Sequence, residues 1–417
     1  MANMAANDLA NEVLQFVSTC REPAVLEAGD EPLALEEGRF SIDVSGDRIF
    51  LEVWDDKRNL TRRLTRVIAL QHGRMEIEIQ RLGKRTGSLL LVDRARAVNH
   101  NLDRKVRRLA LRERLRRLLA RQYGGWTIAE LTAEADLEHT LSPAYARALI
   151  RKGNTAWAAI AAPAEPATAD AILTFGLIWL DYLRKRERRI LIEGLCLLMP
   201  SGLELTTCLR LRWLNPLTGK FDTFLYDDND WEERVDWRMH GNLDTHIDPA
   251  SSTPASRVKP GSPESWLEAR VRQDITQFVA ELRRDPVYGQ VPAWAAADRG
   301  VLDLLGVEQS GRLAVVELKA TADPHLPLQA LDYWLRVHHH NQQGDFTRHG
   351  YFPETALTLE PPRLVLLAPA LQFHPTTETI LRAFASHIEV ERVGVGIEWQ
   401  QQDVRILFRL RGAQSPC

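Results

Sequence analysis

The sequence has little cysteine and little lysine. Its 417 residues contain four cysteines, at positions 20, 196, 208 and 417, and no CxxC pair. This pattern excludes a small disulfide-stapled secreted domain and the clustered cysteine set of an iron–sulfur centre, so reduced and mostly buried thiols are expected. Lysine occurs eight times against 45 arginines. A lysine inside an apolar segment is therefore unlike the background of this chain.

Long apolar runs and a charge excess are also missing. The first residues, MANMAANDLANEVLQFV, lack the features of a signal peptide and suit a short amphipathic helix. The longest apolar stretches, at 172–180 and 190–200, are too short to span a bilayer, which predicts a cytoplasmic protein without membrane contact. A net charge of -3 gives no overall basic surface, so any nucleic-acid contact has to come from clustered arginines.

The length and the 45% hydrophobic content predict a multidomain α/β protein. Residues 1–100 are expected to form a β-rich domain, with hairpins at 38–93 that turn at Ser45-Gly46-Asp47 and near Gly83. Residues 101–248 are predicted to form a mixed α/β middle domain with a helix at 173–186 and strands at 190–200 and 207–214. A Pro- and Ser-rich linker follows at 249–262, and residues 263–417 form the last domain.

The middle domain begins with a basic helix at 101–122, which holds nine Lys or Arg residues against two acids. Positive side chains along one element favour phosphate contact through counterion release. The alternative is an ordinary solvated helix face. The candidate contact residues are Arg104, Lys105, Arg107, Arg108 and Arg112.

The last domain is predicted to start with a helix of about five turns from Pro263, followed by three strands. The apolar face of this helix comprises Trp266, Leu267, Val271, Ile275, Phe278, Val279 and Leu282. The second and third strands lie at 300–307 and 311–320, with a turn at Ser310-Gly311. Residues 363–371 and 376–388 and two later strands complete an α/β core.

Charged residues interrupt the third of these strands. Because side chains alternate along a strand, Glu317 and Lys319 leave the same face together with Val315. Burying such a pair is costly unless a divalent cation compensates it. Glu317, Asp303 from the preceding strand and the carbonyl of Leu318 form an oxygen ligand set that suits Mg²⁺ or Mn²⁺. Phosphodiester hydrolysis needs a hard cation of this kind, and Lys319 beside it could orient or deprotonate water or stabilise charge.

These residues resemble the PD-(D/E)XK nuclease superfamily. Asp303 stands at its first aspartate, with Leu302 in place of the proline, and Glu317-Leu318-Lys319 matches its (D/E)XK element. Gln329 and Tyr333, on one face of a predicted helix, match the QxxxY pattern of the RecB-like branch. The resemblance covers about 155 residues and implies an αβββαβ core and a Mg²⁺- or Mn²⁺-dependent nuclease, acting on DNA or RNA in repair, recombination or defence.

The resemblance also implies roles for further residues. Gln329 and Tyr333 are expected to help position the substrate. The first helix is expected to supply another acid, either Glu264 or Glu268, and Glu264 is favoured because it starts an ExxLE pattern similar to that of NucS-type endonucleases. The alternative function is a non-catalytic nucleic-acid-binding or scaffold protein that keeps the nuclease fold. A homodimer or a partner protein could use the N-terminal region.

Other motifs have simpler interpretations. Asp55 before Lys57 and Asp103 before Lys105 also place an acid two residues before a lysine. The second pair lies in the Arg-rich helix. The first follows a strand and has Asp43 on the preceding strand at a plausible spacing, but no QxxxY helix follows it. The acidic loop at 226–237 lacks the ligand spacing of an EF-hand and is expected to be a solvated loop. The run His338-His339-His340, with His349, is expected to lie solvated at a helix end, because adjacent histidines cannot all converge on one metal.

Overall fold

An amphipathic helix and seven antiparallel strands form the N-terminal region of the computed structural model. The structure describes residues 2–27, 33–45, 48–54, 59–71, 73–80, 86–93, 95, 98–164, 168–227, 232–241, 243, 245–247, 249–250, 263–295, 298–400 and 404–412. Helix α1 (Ala2–Thr19) buries Ala6, Ala10, Val13 and Phe16, which recur every three or four residues and share one face.

The strands of this region make one sheet around the α1 face. They are β1 (Pro23–Glu27), β2 (Leu33–Ala34), β3 (Phe40–Ser45), β4 (Arg48–Trp54), β5 (Asn59–Gln71), β6 (Arg74–Gln80) and β7 (Thr86–Asp93). Their order is β2-β1-β7-β6-β5-β4-β3. Alternate residues of β4 and β6 are buried, as expected for strands with one face on a core. The β-rich N-terminal region is confirmed.

The chain divides into two compact units. The first comprises Met1–Leu109 with Ala164–Pro166, and the second comprises Ala110–Pro163 with Ala167–Cys417. The division falls inside helix α2 (Val98–Gln122), which is the basic helix expected from the sequence. The second unit contains two sheets that the sequence assigned to separate domains. The domain boundaries drawn from the sequence remain predictions, and most of the predicted linker lies outside the described residues.

The first sheet of the second unit is mixed. Its strands are β8 (Thr127–Thr132), β9 (Ala146–Lys152), β10 (Thr155–Ala161), β11 (Leu191–Pro200), β12 (Lys220–Tyr226) and β13 (Glu232–Val235). Helix α3 (Ala169–Arg186) connects β10 to β11, and helix α4 (Glu204–Leu211) precedes β12. The order is β13-β12-β11-β10-β9-β8, and β11 is parallel to both of its neighbours.

The second sheet is also mixed. Its strands are β14 (Thr245–Ile247), β15 (Tyr288–Ala295), β16 (Asp298–Val307), β17 (Leu313–Leu318), β18 (Arg363–Pro369), β19 (Val390–Val395) and β20 (Ile406–Arg411). Its helices are α5 (Pro263–Gln273), α6 (Leu326–Gln343), α7 (Asp345–Arg348) and α8 (Thr377–Leu381). The strands follow in sequence order across the sheet, and β18 is parallel to β17 and β19. The predicted α/β class is confirmed.

Two local predictions are wrong. Residues 207–214 were expected to form a strand, but most of them lie in α4. The Leu-Arg-Leu-Arg alternation was misleading because Arg210 is buried against acids, which conceals the helical period. The five-turn helix from Pro263 ends at Gln273, because the Asp274 carboxylate accepts a hydrogen bond from the Thr276 hydroxyl at 2.6 Å. Trp266 is exposed, whereas the other six residues of the predicted face are buried.

No helix in the described part of the chain is long and apolar enough to cross a membrane. Cys196 and Cys208 are buried thiols, as expected, and Cys417 lies outside the described residues. Ser45 is described, whereas Gly46, Asp47 and Gly83 of the predicted turns are not.

Candidate active site

The candidate site begins with the pairing of β16 and β17. The two strands are antiparallel, and Leu304 pairs with Val316, so Asp303 lies opposite Glu317 on the adjacent strand. The backbone N–H of Leu318 donates a hydrogen bond of 2.9 Å to Oδ2 of Asp303. Two acids that are 14 positions apart in the sequence are therefore held side by side.

Glu317 lies in a costly environment for a carboxylate. The residue is 1% exposed, and neither carboxylate oxygen has a well-formed hydrogen bond within the described residues, although the backbone of Asp303 lies close enough to act on its pKa in the lowering direction. Burial raises the pKa of Glu317 well above its usual value, and the neighbouring charge of Asp303 raises it further. Such a buried carboxylate is costly unless a compensating group is present, which makes this position a candidate ligand site.

The pKa of Asp303 is also raised. Burial raises its pKa to about 6, although the hydrogen bond from Leu318 and the charge of Lys319 act in the opposite direction. At neutral pH the carboxyl groups of Asp303 and Glu317 thus compete for ionisation. A positive charge between them would favour the ionised form of both.

Lys319 lies at the end of the same strand. Its backbone N–H donates to the Leu367 carbonyl at 3.0 Å, and its side chain is 15% exposed. The ammonium Nζ is 3.8 Å from Oε1 of Glu264, which projects from the first turn of α5. Lys319 and Glu264 both contribute to the electrostatic environment of Asp303. The structure therefore brings Glu264 to the candidate site.

Glu268 lies elsewhere. Its buried carboxylate is next to Gly289 in β15, where a Cβ atom would come within 2.8 Å of Oε1. The two candidate acids, one turn apart on α5, thus contact different residues: Glu264 lies near Lys319 and Glu268 near Gly289. Glu264 is the acid whose contact with Lys319 is shown, and its role as the further acid of the site stays a prediction.

Helix α6 contributes the two residues of the QxxxY pattern. The Gln329 Nε2 donates a hydrogen bond to the Tyr333 hydroxyl at 3.3 Å. Tyr333 is buried, and burial together with the charge of Glu317 raises its pKa above the usual value. The tyrosine is thus electrostatically coupled to Glu317, and Gln329 is held beside it.

These residues fit a divalent cation in their chemistry. Asp303 and Glu317 supply carboxylate oxygens, and the Leu318 carbonyl follows directly on the strand. The uncompensated Glu317 oxygens are the observation that favours this fit. Within the described ranges, no three His, Cys, Asp or Glu side chains are grouped closely enough to hold a metal. The predicted set has two acids and a carbonyl, so water or substrate oxygens would have to complete it.

The sequence missed one contribution to the site. Leu318 was considered only for its carbonyl, whereas its N–H fixes the Asp303 carboxylate and its side chain packs in the core on the opposite face of the sheet. The signal was present in the alternation of β17, but the donor could be recognised only once the register with β16 was known.

The basic helix candidates are only partly described. Arg107 is exposed, and Arg108 and Arg112 are half-buried. For Arg104 and Lys105 the structure describes the helical backbone but not the side chains. Of the rival pairs, Asp55 and Lys57 lie outside the described residues, and the side chains of Asp103 and Lys105 do as well.

The histidine run differs from its expected state. His340 is buried and lies 2.6 Å from Oδ2 of Asp345, so the prediction of a solvated residue is wrong there. His338 stacks on Trp334 with ring centroids 5.1 Å apart. The reason is that α6 continues to Gln343, so the last turn of the helix is partly buried against the rest of the domain.

Comparison with known proteins gives no relationship. No family model matches the chain, and no curated protein matches its sequence. The resemblance to PD-(D/E)XK nucleases therefore stands on the residues and their arrangement.

Proposed function

We propose that the C-terminal part of the second unit, residues 263–411, is a Mg²⁺- or Mn²⁺-dependent nuclease that hydrolyses phosphodiester bonds. DNA is the favoured substrate. The observation that supports this proposal most directly is the buried carboxylate of Glu317, which has no well-formed hydrogen bond within the described residues and lies beside Asp303. The resemblance of Asp303, Glu317, Lys319, Gln329 and Tyr333 to the PD-(D/E)XK pattern assigns the reaction.

Asp303, Glu317 and the Leu318 carbonyl would hold the cation. When bound, it would activate water and neutralise charge on the reacting phosphate. Lys319 has its ammonium near Glu264 and close to both acids, so it can hold a water molecule or stabilise the developing negative charge. Tyr333, which is electrostatically coupled to Glu317, and Gln329, which donates a hydrogen bond to the tyrosine hydroxyl, would orient a phosphate or sugar group.

Helix α2 is the proposed contact surface for the nucleic-acid backbone. Its exposed side carries arginines, and Arg107, Arg108 and Arg112 are accessible in whole or in part. Some of its other arginines are engaged: Arg116 pairs with Glu113 at 2.6 Å, and Arg114 donates to the Asp227 carbonyl at 2.9 Å. Phosphate contact is assigned to Arg107, Arg108 and Arg112, together with Arg104 and Lys105, because these residues form the basic run in the first part of the helix.

The test is cleavage of single-stranded, duplex and branched DNA, and of RNA, by the full chain in Mg²⁺ or Mn²⁺. We expect cleavage that stops in EDTA and is lost in the Asp303→Asn and Lys319→Met variants. The matched controls are Glu354→Gln and Lys152→Met, which change an exposed acid and an exposed lysine away from the site. Both controls should cleave as fast as the unaltered chain.

Two results would contradict this function. Equal cleavage by Asp303→Asn would indicate a different active centre or a contaminant. Salt-dependent nucleic-acid binding without hydrolysis in either metal would favour the non-catalytic alternative.

A further inference from the structure

The two sheets of the second unit are built on the same plan. In residues 110–163 and 168–235, here called the middle half, the order after the end of α2 is β8, β9, β10, α3, β11, α4, β12 and β13. In residues 263–411, the C-terminal half, the order after α5 is β15, β16, β17, α6, β18, α8, β19 and β20. Among the described elements the differences are the short helix α7, short 3-10 turns, and strand β14, which extends the second sheet at its β15 edge. Each pair of neighbouring strands in the middle half also has the same relative direction, parallel or antiparallel, as the matching pair in the C-terminal half.

The strand registers give a residue-by-residue correspondence. The Lys319 N–H donates to the Leu367 carbonyl, and the Ala162 N–H donates in the same way to the Leu198 carbonyl. Lys319 therefore corresponds to Ala162, and Glu317, two residues earlier, corresponds to Ile160. Asp303 lies opposite Glu317, and Arg147 pairs with Ile160.

The cores of the two halves agree with this correspondence. Eight residues of the C-terminal core beneath α5 have counterparts that all lie in the middle core beneath α2. These residues are Leu304, Ala314, Val316, Leu318, Val365, Leu367, Val393 and Val395. Their counterparts, in the same order, are Ala148, Trp157, Ala159, Ala161, Cys196, Leu198, Phe224 and Tyr226. A shared element order alone would not produce this agreement, which indicates a structural duplication.

The middle half has lost the chemistry of the candidate site. An arginine, a branched alkyl chain and a methyl group stand where the C-terminal half has Asp303, Glu317 and Lys319. The buried Arg147 guanidinium donates to the carbonyls of Ser142 at 2.7 Å and Glu134 at 2.5 Å. A fixed positive charge in place of the two carboxylates excludes a divalent cation at these positions.

The helix beside the site has changed as well. Helices α3 and α6 are both 18 residues long, so Gln329 and Tyr333 correspond by position to Ile172 and Gly176. A Cβ atom at Gly176 would come within 3.4 Å of Ile160 and within 2.9 Å of Leu195. At the position that corresponds to Tyr333, the middle half therefore has apolar packing that leaves no room even for a Cβ atom without a shift of Leu195.

The two halves meet through equivalent residues. Leu214 and Phe384, each three residues beyond the end of the corresponding helix α4 or α8, form an antiparallel bridge. The Asn215 N–H donates to Ala383 at 2.7 Å, and the Ala385 N–H donates to Trp213 at 2.9 Å. Equivalent residues that pair across an approximate two-fold axis are the property of an isologous dimer interface.

Buried charges and a common core strengthen this contact. Arg210 of α4 lies 2.9 Å from Asp170 of its own half and 3.3 Å from Asp332 of the C-terminal half. Residues of α3, α4, α6 and α8 contribute to one hydrophobic core that both halves share. The surface through which two C-terminal halves could pair is therefore already covered by the middle half.

We infer that the middle half is a catalytically silent copy of the nuclease-like half, which makes each chain an internal pseudodimer with one metal centre. This inference rests on the proposed function. One centre breaks one phosphodiester bond per binding event, so a single chain should nick duplex DNA and should not cut both strands in a concerted reaction.

The first test uses supercoiled plasmid with the full chain in Mn²⁺ or Mg²⁺. We expect nicked circles to accumulate first and linear DNA to follow after a lag, because it requires two independent nicks. An excess of Asp303→Asn chain, mixed at saturating plasmid, should leave the nicking rate per unaltered chain unchanged. Linear DNA that forms without a lag, or a rate that falls when the inactive chain is added, would overturn the single-centre inference and leave the proposed function standing.

The second test counts metal sites without measuring cleavage. Mn²⁺ binding to the full chain is followed by electron paramagnetic resonance, and we expect one set of tight sites that is lost in the Asp303→Asn, Glu317→Gln double variant. A second set that survives this substitution would overturn the silence of the middle half. An intact chain that binds no Mn²⁺ tightly and cuts no substrate would instead refute the proposed function, and the inference with it.

Discussion

The Leu318 backbone N–H donates a hydrogen bond of 2.9 Å to the Asp303 carboxylate. Leu318 also buries its side chain in the core beneath α5, on the face of the sheet opposite to that of Glu317. The middle residue of the Glu-Leu-Lys segment thus anchors the strand and holds Asp303 next to Glu317. Mutual repulsion between the two acids is tolerated because this backbone contact and the core fix both strands.

Neutralising Asp303 should stabilise the metal-free protein at high pH. Its folded-state pKa of about 6 is above the usual value, so its contribution to stability is full below about pH 4 and is lost as the pH rises through 6. Asp303→Asn removes this loss, with a gain on the order of 1 to 3 kcal/mol at pH 8. Thermal unfolding in EDTA should show a Tm difference between variant and unaltered chain that grows from pH 4 to pH 8. A Tm difference that does not change with pH would contradict the raised pKa of Asp303.

Divalent cations should stabilise the folded chain through the same two acids. At 100 times the dissociation constant, a ligand that binds only the folded state adds about 2.7 kcal/mol to the free energy of unfolding. We expect Mg²⁺ or Mn²⁺ to raise the Tm of the unaltered chain and of Glu354→Gln. The Asp303→Asn, Glu317→Gln double variant should show no such rise, and an equal rise in it would place the cation elsewhere.

Lys319 should affect the reaction more than the fold. Its side chain is mostly buried near Glu264 but is not part of an apolar core. Loss of a charged group at the reacting centre lowers rates by about 10²-fold or more, so Lys319→Met should reduce kcat by at least that factor. Glu264→Gln should have a smaller effect because Glu264 is half-exposed. Initial rates with matched circular dichroism spectra would separate loss of activity from loss of folding.

The arginines of α2 should control the salt dependence of nucleic-acid binding. Each phosphate contact contributes about one unit to the slope of log K against log salt concentration. The Arg108→Gln, Arg112→Gln double variant should therefore reduce the slope by up to about 2 units. Arg188→Gln, at an exposed position outside α2, is the matched control. An unchanged slope in the double variant would show that α2 is an ordinary solvated helix.

Arg210 should be a major determinant of stability in the second unit. Removing one partner from a buried ion pair costs about 3 to 5 kcal/mol because the remaining charges stay buried without compensation. Arg210→Met leaves Asp170 in that state, whereas Asp332 keeps its buried ion pair with Arg336 at 2.8 Å, so denaturant unfolding should show a loss of this size that comes mainly from Asp170. Arg188→Met, which changes an exposed arginine, should be nearly neutral. A similarly small loss for Arg210→Met would show that Asp170 is compensated by other groups.

Local sequence patterns were sufficient to predict several helices and strands. The apolar spacing of α1 and the alternation of β17 each express the period of one element, which a sequence shows directly. The same patterns failed at α4, where a buried arginine replaces an apolar residue, and at the end of α5, where Asp274 competes for local hydrogen bonds. In both cases a polar side chain has a partner that the local period does not reveal.

The sequence by itself determined that Glu317 and Lys319 share one face of an apolar strand, because alternation is a property of the strand alone. Only the tertiary structure decided that Asp303 lies opposite Glu317 and that Glu264, not Glu268, reaches Lys319. It also revealed the duplication, because the two halves share strand register and core positions but not residue types. Register and core packing arise from long-range contacts, which no local sequence period encodes.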